Sequence, residues 1–376
     1  MWHREDEIET LLRESAEGYL STHHSLDRFR NCRRTDCGFD MQFWSNMGDL
    51  GWTGILLPAV VGGAELGLGP ALTLAEAFGK HLVPEPFVAT AVIAGTVLAA
   101  SGSPRTASLA SELSAGRAVV LLADQEEAGI VSPSPPRTRV EQRGDRLLLS
   151  GSKTFLPSWT PDAHVIVTAL LDGALCLVHI APPHRNVAVE TYKMADGTIA
   201  ASIVFDSLEI SADQILLRGT DAENAVRTAV ANGTVALSAQ LQGLSRQLHR
   251  MTSDYLLQRV QFDRPLASLQ SVRHSLADLH VEIELSAATW RNAATAVGRG
   301  LSESAQSSVS AAKARCSDTA LAMSRAAIQF HGGFGYTEEA DVGLFANSAL
   351  RWASWLGNAQ AHRRNALTLQ RQATYA

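Results

Sequence analysis

This chain of 376 residues has little cysteine, no long apolar run and no excess of basic charge. Its four cysteines are Cys32, Cys37, Cys176 and Cys316, and only the first two stand close together. Their separation fits neither a CxxC redox pair nor a zinc knuckle, so reduced thiols in a cytoplasmic protein are expected. No group of His, Cys and carboxylate residues has metal-ligand spacing. The longest apolar runs, such as residues 165–171, are far too short to cross a bilayer. The opening six residues lack the apolar core of a secretory signal. Lys and Arg number 32 against 38 Asp and Glu, a net charge of -6, and no basic run is present. A nucleic-acid partner is therefore not expected. What remains is a chain with 46% hydrophobic and 19% charged residues. That composition suits a soluble globular protein, and the length allows two or three domains.

Three regions follow one another without an internal repeat. Residues 1–115 read as helical, with stripes such as Trp44, Met47 and Leu50 at helical spacing. A turn-rich break, Leu57-Pro58-Ala59-Val60-Val61-Gly62-Gly63, interrupts them. Residues 116–217 change to short strands, at 119–123, 139–142, 146–150, 165–171, 174–180, 187–192 and 200–205, with a loop at 132–136. Their spacing predicts a small antiparallel barrel or sandwich. Residues 218–376 return to long amphipathic helices. Leu237, Leu241, Leu244, Leu248, Met251 and Tyr255 recur every three or four residues, as do Leu269, Val272, Leu276, Leu279 and Ile283. A last pair of helices is expected at about 302–330 and 342–372, which makes a four-helix bundle. The fold class is α+β.

Two segments of the third region carry binding chemistry. The first is Arg259-Val260-Gln261-Phe262-Asp263-Arg264-Pro265, followed by Gln270. A guanidinium at a helix end can grip phosphate oxygens bidentately, Phe262 can cover an apolar part of a cofactor, and Gln270 can offer an amide donor. A helix-capping role for Arg259 is the plainer alternative. The second segment is Gln329-Phe330-His331-Gly332-Gly333-Phe334-Gly335-Tyr336. Its glycines let backbone N–H groups approach a phosphate or ribose, or they simply end a helix. The cluster is no Rossmann fingerprint, because a helix and not a strand precedes it. His331 reads as structural.

In this order and spacing, with Leu50-Gly51-Trp52, Gly62-Gly63, Gly151-Ser152-Lys153-Thr154-Phe155 and Ile203-Val204-Phe205-Asp206, the chain resembles the acyl-CoA dehydrogenase family over nearly its whole length. The resemblance implies an N-terminal helical domain, a central β domain and a C-terminal helical bundle. It implies FAD held by Arg259, Phe262, Gln270, Gln329, Gly332 and Gly333 at a subunit interface, with the two segments coming from different chains. It further implies an acyl-CoA substrate, at least a dimer, and an electron-transfer flavoprotein as the next acceptor. The stretch Gly335-Tyr336-Thr337-Glu338-Glu339-Ala340-Asp341 is similar to a bacterial subgroup that handles bulky acyl-CoA thioesters such as steroid side chains, partly as hetero-oligomers.

The departures are as informative as the matches. Dehydrogenation needs a carboxylate base at the carbon beside the thioester carbonyl. The family's "YEG" segment matches Trp355-Leu356-Gly357, so leucine stands where glutamate is expected. The alternative base position falls at Asn232, Gly233 or Gln240, none of them a carboxylate. Glu338, Glu339 and Asp341 read as a solvated helix start. The family's "TEP" segment corresponds to residues 121–129, with little of its pattern, and Leu156-Pro157 stands where a small hydroxyl residue is common. Three functions stay open: a dehydrogenase subunit working with a related chain, a flavin oxidase or monooxygenase on this scaffold, and a non-catalytic scaffold.

Overall fold

The computed structural model describes residues 7–127 and 135–375. The opening six residues, and most of the loop expected at 132–136, lie outside them. By internal contacts the chain falls into two units. One contains the chain up to Phe29, Leu72–Val83 and everything from Thr234 on; the other contains Arg30–Ala71 and Pro84–Gly233. Residues expected to form a separate N-terminal domain thus contribute to both.

The elements of the first 115 residues are α1 (Glu7–His23), α2 (Leu26–Cys32), α3 (Met41–Asp49), α4 (Leu68–His81), α5 (Gly95–Ala99) and α6 (Pro104–Ser114). Local chemistry sets their ends. Asp40 accepts from the Gln42 N–H to start α3, and Ser103 does the same from Thr106, with proline in the first turn of α6. Between α4 and α5 the residues Phe87–Ala94 wind as a π-helix, every one of them buried. That wider winding is rare.

The sheet strands are β1 (Val120–Ala123), β2 (Arg139–Arg143), β3 (Arg146–Pro157), β4 (His164–Leu171), β5 (Ala174–Ile180), β6 (Val187–Lys193), β7 (Ile199–Ile210) and β8 (Ile215–Arg218). They form one eight-stranded sheet in the order β6-β7-β3-β2-β4-β5-β8, with β1 also on β4. The short strands predicted an antiparallel arrangement, but the sheet is mixed: β4 pairs in parallel with β1 and with the end of β2. Parallel neighbours need long connections. The stretch of about 40 residues between β1 and β4 supplies one, which strand alternation alone does not reveal.

The helical unit holds most of α7 (Thr220–Gln258), then α8 (Gln270–Gly298), α9 (Glu303–His331), α10 (Asp341–Ser354) and α11 (Ala359–Tyr375), with a two-strand hairpin, β9 (Val260–Gln261) and β10 (Arg264–Pro265), after α7. The last expected helix is therefore two, broken where Leu356 and Gly357 take left-handed φ of 57° and 96°. In this unit α4 meets α7 backbone to backbone. A Cβ on Gly79 would stand 1.9 Å from the Gln240 carbonyl oxygen, and one on Gly243 would stand 1.9 Å from that of Glu76.

Candidate functional site

The chain leaves α7 through a tight structure. The Arg259 N–H still bonds the Tyr255 carbonyl at 2.8 Å, and the Leu266 N–H returns to the Arg259 carbonyl at 2.9 Å. Between them Gln261 pairs with Arg264, so Phe262 and Asp263 form a two-residue turn. Both have positive φ, 54° and 60°, the pattern of a type I′ turn. Phe262 is 80% exposed at its tip. Arg259 is exposed and has no ionic partner among the described residues. Gln270 opens α8 and is also exposed.

The glycine segment follows α9. Exposed Gln329 lies in its last turn. Gly332 has φ 62°, and its N–H closes on the Gln329 carbonyl. That amide is thus spent inside the turn, as in the helix-ending alternative. What the glycines provide is room: nothing lies within 4 Å of a Cβ placed on Gly332 or Gly333. His331 is buried in the fold, as its sequence context suggested. Its Nδ1 bonds the Ala327 carbonyl at 2.8 Å and its ring stacks on Tyr255 with centroids 4.2 Å apart. The Tyr255 hydroxyl in turn donates to the His331 carbonyl. This contact brings the Arg259 and glycine segments together at one end of the unit in a single chain.

These residues fit the charged half of a dinucleotide. An unpaired guanidinium, two exposed amides, an exposed aromatic face and a bare glycine turn lie on two segments far apart in the chain, which the Tyr255–His331 contact joins. The sheet unit carries the segment expected at the flavin ring, and it fits less well. Phe155 has φ 56°, Leu156 is buried and Pro157 has neither an N–H nor a hydroxyl to offer. Residues 128 and 129 of the "TEP" counterpart lie outside the described residues. Just before them Glu126 binds Lys153 at 2.8 Å, and Lys153 also donates to Thr168 at 2.9 Å. Burial works against the Glu126 charge, yet the Lys153 and Thr138 bonds hold its carboxyl down at about 2. This buried pair anchors β3. Its lysine was visible in the motif, but its partner was not.

At the expected base position Leu356 is 4% exposed, packed apolar and left-handed. The loop around it is fixed by two buried side chains. His362 Nε2 donates to the Leu356 carbonyl at 2.8 Å. Lys313 Nζ donates to the carbonyls of Trp352 and Ala353 at 3.0 Å, to that of Gly357 at 3.1 Å, and to the Ser317 hydroxyl at 3.1 Å. Lys313 thereby caps the C-terminal carbonyls of α10, where the helix dipole favours its protonated form. Burial pushes Lys313 down to about 7 and His362 down to about 4. Neither group was singled out by the sequence: Lys313 sits in an alanine-rich helix, and nothing local announces that its head group turns inward.

The alternative base positions hold no acid either. Gln240 is buried, and its backbone lies against Gly79. Asn232 donates to Thr96 at 3.1 Å, while its Oδ1 is buried without a partner. Glu338 and Glu339 are exposed and Asp341 starts α10. Among the described residues no group of three His, Cys or carboxylate residues is arranged for a metal, and no helix is long and apolar enough to cross a membrane.

Comparison with known proteins agrees with this layout. The acyl-CoA dehydrogenase N-terminal domain matches residues 6–108, and the acyl-CoA dehydrogenase C-terminal domain matches residues 224–368. The chain is 27% identical over 326 residues to cyclohex-1-ene-1-carbonyl-CoA dehydrogenase of Geobacter metallireducens, covering 84% of this chain and 85% of that one. It is 26% identical over 352 residues to acyl-CoA dehydrogenase IpdE2 of Mycolicibacterium smegmatis, covering 92% and 94%. Among solved structures, a variant of the Tcur3481–Tcur3483 steroid ACAD superposes with a TM-score of 0.89 at 25% identity, covering 98% of this chain and 99% of that one. The ChsE4–ChsE5 complex of Mycobacterium tuberculosis superposes at 0.88 and 21% identity, covering 99% of each chain, a likeness of fold.

Proposed function

The chain belongs to the acyl-CoA dehydrogenase family, whose cofactor is FAD, and on that premise we propose that it is one subunit of a dehydrogenase that desaturates an acyl-CoA thioester between the α and β carbons together with a related chain. Arg259, Gln270, Gln329 and the Gly332-Gly333 turn would hold the diphosphate and ribose side of FAD, with Phe262 against an apolar part of it. FAD held there would supply the hydride acceptor for the β carbon. The α proton needs a carboxylate, and the partner chain would supply it.

The observation that carries this reading is Leu356. It stands at the expected base position as a packed apolar residue, while the end proposed to bind phosphate stays exposed, with Arg259 unpaired among the described residues. A chain that keeps the grip and lacks the base needs a second chain. Two of the similar structures are named for a pair of proteins, ChsE4 with ChsE5 and Tcur3481 with Tcur3483. An electron-transfer flavoprotein would take the electrons onward. The test is to co-express the chain with a related chain that carries the glutamate. Flavin per complex and turnover of several acyl-CoA thioesters, including steroid side chains, would then be measured. Absence of flavin absorbance from the complex would refute the reading.

Pro157 favours a second reading. With no donor at that position the flavin ring would meet a different environment, as in a flavin oxidase or monooxygenase. Oxygen consumption with reduced flavin, coupled with rejection of every acyl-CoA, would establish it. Loss of flavin altogether would leave a scaffold.

A further inference from the structure

The helical unit contains a second cationic site. A cavity of about 250 Å³ opens among α1, α4 and α7. Gly243, Arg246, Gln247 and Arg250 line it from α7, at the three-and-four spacing of one helix face. Arg13 comes from α1 and Lys80 from α4. Two carboxylates, Glu17 and Glu76, complete the wall.

Most of these charges already have partners. Glu76 is 4% exposed and takes Arg13 at 3.1 Å, Arg246 at 3.4 Å and Arg291 at 3.8 Å. Arg246 also reaches Glu284 at 3.1 Å. Glu17 takes Lys80 and His81, each at 2.8 Å. The network that joins the helices is thus complete without two groups. Arg250 is exposed and has no hydrogen-bond or ionic partner among the described residues. Gln247 Oε1 is buried and accepts no hydrogen bond. A buried acceptor left empty is uncommon, and it calls for a donor that the fold does not supply.

We propose that this cavity binds a phosphomonoester that carries a free hydroxyl. The Arg250 guanidinium would take the phosphate oxygens side by side. The ligand's hydroxyl would donate to Gln247 Oε1 once that amide, whose oxygen has no exposed surface in the free chain, turns toward the cavity. The lining holds four cations against two carboxylates, which favours an anion. The volume lies just under the range of roughly 300–1,000 Å³ typical of drug-sized ligands, so the occupant is small, of the order of a sugar phosphate. The site is separate from the one assigned to FAD. Arg250 and Arg259 are nine residues apart, which on a helix places them about half a turn round from each other and about 13 Å apart along the axis.

The test uses the full-length protein and calorimetric titration with ribose 5-phosphate, beside inorganic phosphate and ribose. Saturable binding of one ribose 5-phosphate per chain is expected, weaker binding of phosphate, and none of ribose. Arg250→Ala should weaken it at least about tenfold, as loss of a charged hydrogen-bonded contact does, and Arg250→Lys less so. Gln247→Leu should weaken ribose 5-phosphate as well. Arg250 is unpaired, so its variants keep the fold, which melting temperature and flavin content would check. Competition by CoA but not by dephospho-CoA would identify the phosphate as that of CoA itself; absence of competition would identify a free metabolite. No saturable binding below about 1 mM would overturn the proposal. So would equal binding by Arg250→Ala, or loss on Arg259→Ala instead.

Discussion

Replacing Gly79 with alanine tests the packing of the helical unit. The new methyl would stand 1.9 Å from the Gln240 carbonyl oxygen and 2.7 Å from its carbon, both backbone atoms that no side-chain rotation can move. A comfortable carbon–oxygen contact is over 1 Å longer, so α4 and α7 must part by that much. Overpacking of this kind costs about 1–3 kcal/mol. Parting the helices also stretches the bond from Arg246 to the buried Glu76, and a buried carboxylate that loses partners costs about 3–5 kcal/mol at the limit. Against this, alanine gains only about 1 kcal/mol over glycine in a helix. The net expectation is destabilisation of about 3 kcal/mol, read as a fall in the urea midpoint or in Tm. Gly18→Ala is the control, because Gly18 lies within α1 with nothing within 4 Å of its Cβ. It should gain about 0.5–1 kcal/mol. If both variants stabilise, the close approach of α4 and α7 is wrong.

Arg259→Ala should weaken FAD binding by about 1.5–3 kcal/mol, the worth of a charged hydrogen-bonded contact, measured as flavin retained after gel filtration. Lys313→Met should destabilise by about 3 kcal/mol or more, since it strands three carbonyls at about 1 kcal/mol or more each; a neutral effect in chemical denaturation would contradict the capping role. Buried His179 faces His164, its Nε2 2.9 Å from the His164 Nδ1. Burial holds His179 at about 4 against an ordinary 6.5, so the unfolded chain takes up a proton first as pH falls. Its contribution is full above 6.5 and fades towards 4, amounting to about 2 kcal/mol lost at pH 5. Comparing wild type with His179→Gln at pH 7 and 5 should show the wild type losing more stability on acidification.

Much of the layout was legible in the sequence because burial imposes periods on it. The run 174–180 is β5 to the residue, and the Leu237 to Tyr255 stripe lies on α7. The segments around Arg259 and Gly332 declared themselves by residue types that few other tasks need together. What stayed hidden depends on long-range geometry. The parallel pairing of β1 with β4 joins residues about 40 positions apart, and no local pattern encodes it. The split between α10 and α11 rests on a leucine with positive φ, a conformation leucine disfavours on its own and takes here with its carbonyl tied to His362. The π winding of Phe87–Ala94 likewise escapes notice, because a wholly buried helix shows no polar face from which to count its period.

The hairpin after α7 has a bearing on how a ligand would be received. A turn with two left-handed residues is cheapest as Asn-Gly, yet this one uses phenylalanine and aspartate, at a strain of order 1 kcal/mol or more each. That expense is met while the chain folds, before any encounter. The backbone that carries the aromatic ring is therefore already set when a visitor arrives, and little further main-chain entropy has to be surrendered on contact.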